Sequence, residues 1–173
     1  MEHISIFLCD IYGTYKVDNH DVDVNELEIF LTNLDKLREQ NNSGKLLFSF
    51  VSTENAEIVK NEINILKSTN KNNDIILGKQ FFDHGFIYQG RVYIEEAIGK
   101  ISQIKKYLEE LNDKYIIDKV YFADDNRFLY YLLDELLMDS FVEFVLPSQS
   151  LGLKELNEII SSQIIVNKIK RIK

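Results

Sequence analysis

Short, continuously apolar runs alternate along this chain with longer amphipathic stretches, and that alternation leaves few folds open. Residues 4–9 (Ile-Ser-Ile-Phe-Leu-Cys) are apolar at nearly every position, as a strand covered on both faces must be. Residues 24–40 instead place Leu27, Phe30, Leu31, Leu34 and Leu37 three and four apart, which is the stripe of an amphipathic helix. The same alternation predicts strands over 46–51, 74–77, 119–123 and 141–146. Helices are predicted over 56–66, 98–111 and 127–138, with a last one from 151 onward. Between the third strand and the third helix, residues 86–93 read as a small β-hairpin turning at Gly90. Single helices between strands require crossovers, hence a mainly parallel sheet with helices on both faces. The expectation is an α/β, three-layer, doubly wound (Rossmann-like) domain spanning 1–173, without linker or repeat.

Charge and cysteine content narrow the partners. The net charge of -8 disfavours nucleic acid, whose phosphates need clustered Lys and Arg. The one basic cluster, Lys168, Lys170, Arg171 and Lys173, reads as the solvated end of the last helix rather than a membrane anchor. No run of eighteen apolar residues is present, and no basic-then-apolar leader pattern opens the chain. Cys9 is the lone cysteine and lies inside an apolar strand, so it is expected to be a buried thiol in a reducing, cytoplasmic compartment.

In an open parallel sheet, ligands bind beyond the carboxyl ends of the strands, near the point where strand order reverses. Three such ends carry suggestive residues. The first strand runs into Asp10-Ile11-Tyr12-Gly13-Thr14, where an Asp at a strand tip suits a nucleophile or a metal ligand and Gly13 allows a sharp turn. A plain strand-to-turn boundary has the same composition. The second strand runs into Ser52-Thr53, either an ordinary helix cap or a hydroxyl at an anion site. The fourth runs into Asp124-Asp125-Asn126. Adjacent carboxylates repel, which invites a hard cation such as Mg²⁺; capping explains one of the pair more easily than both. Lys100, on the helix before that strand, would by itself be a surface charge. His3, His20 and His84 are scattered and show no metal-ligand spacing.

Taken in order, strand-end Asp-x-x-Gly-Thr, strand-end Ser/Thr, helical Lys and strand-end Asp-Asp resemble the haloacid dehalogenase-like hydrolase superfamily. The resemblance runs from Ile4 to about Asn126. It implies that Asp10 accepts a phosphoryl group, that Thr53 (or Ser52) binds its oxygens, and that Lys100 neutralises charge. It also implies Mg²⁺ held by Asp10, Asp124 and Asp125. The phosphatases of this superfamily carry a second Asp two residues after the nucleophile, as general acid and base; here that position is Tyr12. Loss of such a group costs a factor of about 10² to 10⁴.

The Asp-x-Tyr-Gly-Thr pattern also resembles the 2-haloacid dehalogenases, which attack carbon without a metal. Residues 15–23 are too few for the helical cap those enzymes need, and neither cap position of the superfamily is filled. The expectation is therefore a capless, water-open, Mg²⁺-dependent phosphatase or phosphotransferase-type site with impaired or atypical catalysis. Its partner would be a phosphorylated small molecule or macromolecule, or a protein, with a second copy of the chain able to cover the site. The alternatives are a catalytically inactive binding or scaffolding module and, less favoured, a dehalogenase-like enzyme using Asp10 on carbon.

Overall fold

A computed structural model of the chain describes residues 1–17, 20–82, 93–126, 128–129, 142–145 and 152–172. Among these residues five strands are found, β1 (His3–Cys9), β2 (Lys45–Phe50), β3 (Ile75–Leu77), β4 (Ile116–Ala123) and β5 (Val142–Val145). They form one sheet in the order β3-β2-β1-β4-β5, with every neighbouring pair parallel. Four helices accompany them among the described residues, α1 (Val24–Gln40), α2 (Ala56–Thr69), α3 (Tyr93–Asn112) and α4 (Leu153–Ile172). None is long and apolar enough to cross a membrane.

The central strand explains the layering. Successive side chains of a strand point to opposite faces, and both faces of β1 are apolar. Ile4, Ile6 and Leu8 enter one core together with Val120 and Phe122 of β4 and with Ala97, Ile101, Ile104 and Tyr107 of α3. Phe7 and Cys9 enter the other core with Phe48 and Phe50 of β2, the leucine stripe of α1, Val59 and Leu66 of α2, and Leu156 and Ile160 of α4. The sheet is thus covered by helices on both sides. Rings of Phe7, Phe30, Phe48, Phe50 and Tyr15 meet mostly edge to face at 4.9–5.8 Å, a favoured aromatic geometry.

Helix starts follow local chemistry. Asp23 caps α1 by accepting from the amides of Asn25 and Glu26. Asn55, not Ser52 or Thr53, caps α2 by accepting from the Ile58 amide. Asn55 is the residue whose extended backbone and short side chain immediately precede the first helical turn, so it takes the role expected of the hydroxyls. The third helix begins at Tyr93, five residues ahead of the expected 98, because Tyr93 starts helical structure instead of closing a hairpin. Glu95 and Glu96 therefore fall in its first turn, where the helix dipole favours acids. The rest of the expected hairpin, 86–92, lies outside the described residues. So does most of the expected 127–138 helix, of which Phe128 and Leu129 are helical.

Strand order reverses between β1 and β4: the chain winds outward through β2 and β3, then returns to β4 beside β1. The carboxyl ends of those two strands are where Asp10 and Asp124 emerge. The amino edge is closed by a relay of short hydrogen bonds. There the Asp118 carboxylate accepts from the Ser43 hydroxyl at 2.6 Å and lies 2.7 Å from His3 Nδ1, and Ser43 also meets Ser5 at 2.7 Å.

Candidate functional site at the carboxyl edge of the sheet

Parallel pairing brings the strand ends level. Cys9 lies opposite Ala123 on one side and Phe50 on the other. The Asp10 amide donates to the Ala123 carbonyl at 2.9 Å, so Asp10 and Asp124 leave neighbouring strands side by side. After Asp10 the chain turns back tightly, with the amides of Tyr15 and Lys16 both donating to the Ile11 carbonyl at 2.9 Å. Gly13 in this turn has φ +82°, and a Cβ built there would collide with the Asp125 carboxylate. The glycine thus permits both the turn and the approach of the second acid.

Lys100 reaches the acids from the second turn of α3. Its Nζ donates to Asp124 Oδ2 at 2.7 Å and to Asp10 Oδ1 at 3.1 Å, and lies 3.7 Å from Glu96 Oε1. The lysine is 1% exposed, Asp124 0% and Asp10 8%. The other oxygen of Asp124 accepts from the Asn126 amide at 2.8 Å, and Asn126 in turn accepts from the Phe128 amide. Turn formation therefore uses one oxygen of Asp124. Asp10, Asp124 and Asp125 each offer an oxygen within 4.8 Å of the others, a grouping able to hold a metal ion.

The electrostatics are those of too many carboxylates for one ammonium. Burial raises the Asp10 carboxyl to about 6; Lys100 opposes the shift and Asp125 adds to it. Burial and the Asp10 charge raise Asp124 to about 7 against the pull of Lys100 and the Asn126 amide. Asp125 is raised as well, first by burial and then by Asp124, and it shares a hydrogen bond with Asp10 that only a proton can supply. Burial alone would lower the Lys100 ammonium, but Asp10, Asp124 and Glu96 outweigh it and drive its pKa up. The Cys9 thiol, 0% exposed and donating to the Asp10 carbonyl, is raised by burial and by the same acids.

Ser52 and Thr53 divide their work. The Ser52 hydroxyl accepts from the Glu54 amide at 3.0 Å and is occupied by the turn. The Thr53 hydroxyl donates to Glu96 Oε1 at 3.3 Å, so Thr53 and Lys100 meet through one carboxylate. Tyr12 is half-buried and packs against the core shared by α1, α2 and α4; its hydroxyl makes no hydrogen bond to the acids. Asp10, Thr53, Lys100, Asp124 and Asp125 are thus brought to one edge, with Asp10, Lys100 and Asp124 buried and Thr53 and Asp125 half-buried. The Glu96 side chain lies against Lys100 and Thr53.

Two participants escaped the sequence reading. Glu96 stands four residues before Lys100, the favourable order for an i,i+4 pair, and that spacing is the signal that could have found it. A partly buried pair, Lys16 and Glu62, sits behind the Asp10 turn. There Lys16 Nζ lies 2.7 Å from Glu62 Oε1 of α2, with the two side chains 12% and 1% exposed. Forty-six positions separate them, so no local pattern marks the pair. Neither the protein-family models nor the curated proteins contain a match to this sequence.

Proposed function

We propose that this edge is a phosphoryl-transfer site of the haloacid dehalogenase-like type, with Asp10 as nucleophile and Mg²⁺ held by Asp10, Asp124 and Asp125. The observation that carries the reading is the charge imbalance: three carboxylates within 4.8 Å, two of them bonded to a single buried ammonium. Hard oxygen donors with surplus negative charge are the donor set Mg²⁺ prefers. When bound, it would supply positive charge to the acids and to the transferring phosphoryl oxygens.

The chain's own groups divide the rest. With a pKa of about 6, Asp10 is ionised at neutral pH and can attack phosphorus while the bond to the leaving oxygen breaks. Lys100 holds the attacking carboxylate and Asp124 in register, and the Thr53 hydroxyl, which donates to Glu96 in the free chain, would donate to a phosphoryl oxygen. Tyr12 is the weak part. A phenol can give a proton to the leaving oxygen, yet it replaces the carboxylate that would serve as base in activating water against the aspartyl phosphate. The substrate is a phosphorylated small molecule or macromolecule, and slow turnover with an accumulating phosphorylated Asp10 is the expected behaviour.

The packing of Tyr12 against the apolar core favours a second reading, a binding module that keeps the fold without turnover. A third, attack of Asp10 on carbon, suits the surplus of acids poorly, because a haloacid carboxylate would add to it. One experiment separates the first two. The protein is incubated with Mg²⁺ and a small acyl phosphate, and an adduct on Asp10 is sought by mass spectrometry, with Asp10→Asn as control. Tyr12→Asp should then raise hydrolysis of an aryl phosphate by roughly 10² or more. If Tyr12→Asp folds, binds Mg²⁺ and hydrolyses nothing, the binding module stands in its place.

A further inference from the structure

Glu96 occupies an unusual place for an acid. One of its oxygens accepts from the Thr53 hydroxyl at 3.3 Å and lies 3.7 Å from Lys100 Nζ. A hydroxyl and an ammonium converging on one oxygen are the pair of groups that would receive an oxygen of a bound tetrahedral anion. The helix dipole accounts for an acid in the first turn of α3, and Glu95 meets that need equally well. It does not account for Glu96 reaching Thr53, which comes from a different element, the segment that follows β2. The Glu96 side chain is also 26% exposed, whereas Lys100 is 1% exposed, so Glu96 has solvent to swing into and Lys100 has none.

We infer that Glu96 is an internal stand-in for the anion: its carboxylate fills the oxyanion position between Thr53 and Lys100 and must leave before a phosphoryl group or similar oxyanion can bind. This rests on the phosphoryl-transfer reading for the identity of the ligand, though not for the exclusion itself. With Glu96 in place, four carboxylates face Lys100, and a divalent cation still leaves the cluster formally negative. An incoming dianion is then repelled. With Glu96 swung out, its two donors are freed for the ligand. The side chain therefore sets which oxyanions enter. A ligand bearing an ammonium or hydroxyl donor beside its phosphoryl group can hold Glu96 in its outward position, and a bare oxyanion cannot.

The test is binding of inorganic phosphate, by calorimetry in millimolar Mg²⁺, to the unaltered protein, Glu96→Gln, Glu96→Ala and the double variant Glu96→Gln/Thr53→Val. Removing one negative charge a few ångströms from the anion should tighten phosphate by about tenfold or more in both single variants. The double variant should lose most of that gain, because the freed hydroxyl is gone. Equal or weaker phosphate binding in Glu96→Gln and Glu96→Ala, with both folded by circular dichroism, overturns the inference. Absence of phosphate binding in every form overturns it too. The acyl-phosphate experiment reports separately on the phosphoryl-transfer reading. An Asp10 adduct with no gain in Glu96→Gln removes the stand-in and leaves that reading intact. A gain with no adduct leaves the stand-in and removes the chemistry.

Discussion

Among the described residues, two lysines meet buried carboxylates, Lys100 fully buried and Lys16 partly so, and they are solved differently. Lys16 faces one carboxylate, Glu62, at 2.7 Å, and the pair is formally neutral. Lys100 faces Asp10 and Asp124 in direct contact, Glu96 close by and Asp125 one carboxylate further on. The first arrangement ties the turn after Asp10 to α2 and leaves no charge over. The second leaves a surplus that the folded chain alone does not neutralise, and its acids respond by holding protons. Balanced charge makes the first a structural tie, and unbalanced charge is the observation on which the proposed phosphoryl-transfer site rests.

Breaking the crowded lysine should cost most. Lys100→Met strands four buried or half-buried carboxylates, and urea denaturation at pH 7 should show a loss of about 3–5 kcal/mol. The loss should shrink at pH 5, as the acids take up protons, and Mg²⁺ should restore part of it. Lys16→Met should cost less, about 2–3 kcal/mol, because Lys16 keeps part of its side chain in water. Mg²⁺ should restore none of that. Equal rescue of both variants by Mg²⁺ would erase the distinction.

Acidity sharpens the same contrast. Asp10 and Asp124 titrate near 6 and 7 in the folded chain, against an ordinary value of 3.8. The folded state therefore holds more protons than the unfolded state between those limits, and metal-free stability should fall as pH rises from about 4 to about 7. Asp10→Asn/Asp124→Asn should flatten that fall. Lys16 and Lys100 both have raised pKa values, so their contributions are complete below 10.5 and are lost only in alkali. Denaturation midpoints across pH 4–8, with and without Mg²⁺, read this directly. The smallest effect has the opposite sign to ordinary site mutations. Asp125→Asn removes one surplus charge from a half-buried position and should stabilise the metal-free protein by about 0.5–1 kcal/mol, while weakening the Mg²⁺-induced rise in melting temperature.

Much of this was legible because it is local. The unbroken apolar run of 4–9 announces a central strand, and the leucine stripe of 24–40 announces α1. The strand-end acids could be placed at one edge because parallel strands all point their carboxyl ends the same way. The start of α3 was not legible: Tyr93 and Ile94 have strand-like side chains, and no Ser, Thr, Asp or Asn stands just before them to signal a cap. Nor could the sequence pattern separate Ser52 from Thr53, since both are hydroxyls next to a helix and only tertiary contact tells which meets Glu96. The Lys16–Glu62 tie and the Ser43–Asp118 bond join residues 46 and 75 positions apart, which no periodicity reports.

The pairing of β1 with β4 has a kinetic consequence. Lys100 and Asp10 lie 90 positions apart in the chain, and the acids of the two strand ends meet only once β4 has docked beside β1. Closing so long a loop adds little to its entropic cost, since that cost grows only logarithmically with length, but such pairings form late and slowly. Repulsion among the acids is therefore absent while the first strands assemble and arrives with the last central pairing. A change that relieves it should act chiefly by slowing the escape from the native state and only weakly on the rate of reaching it.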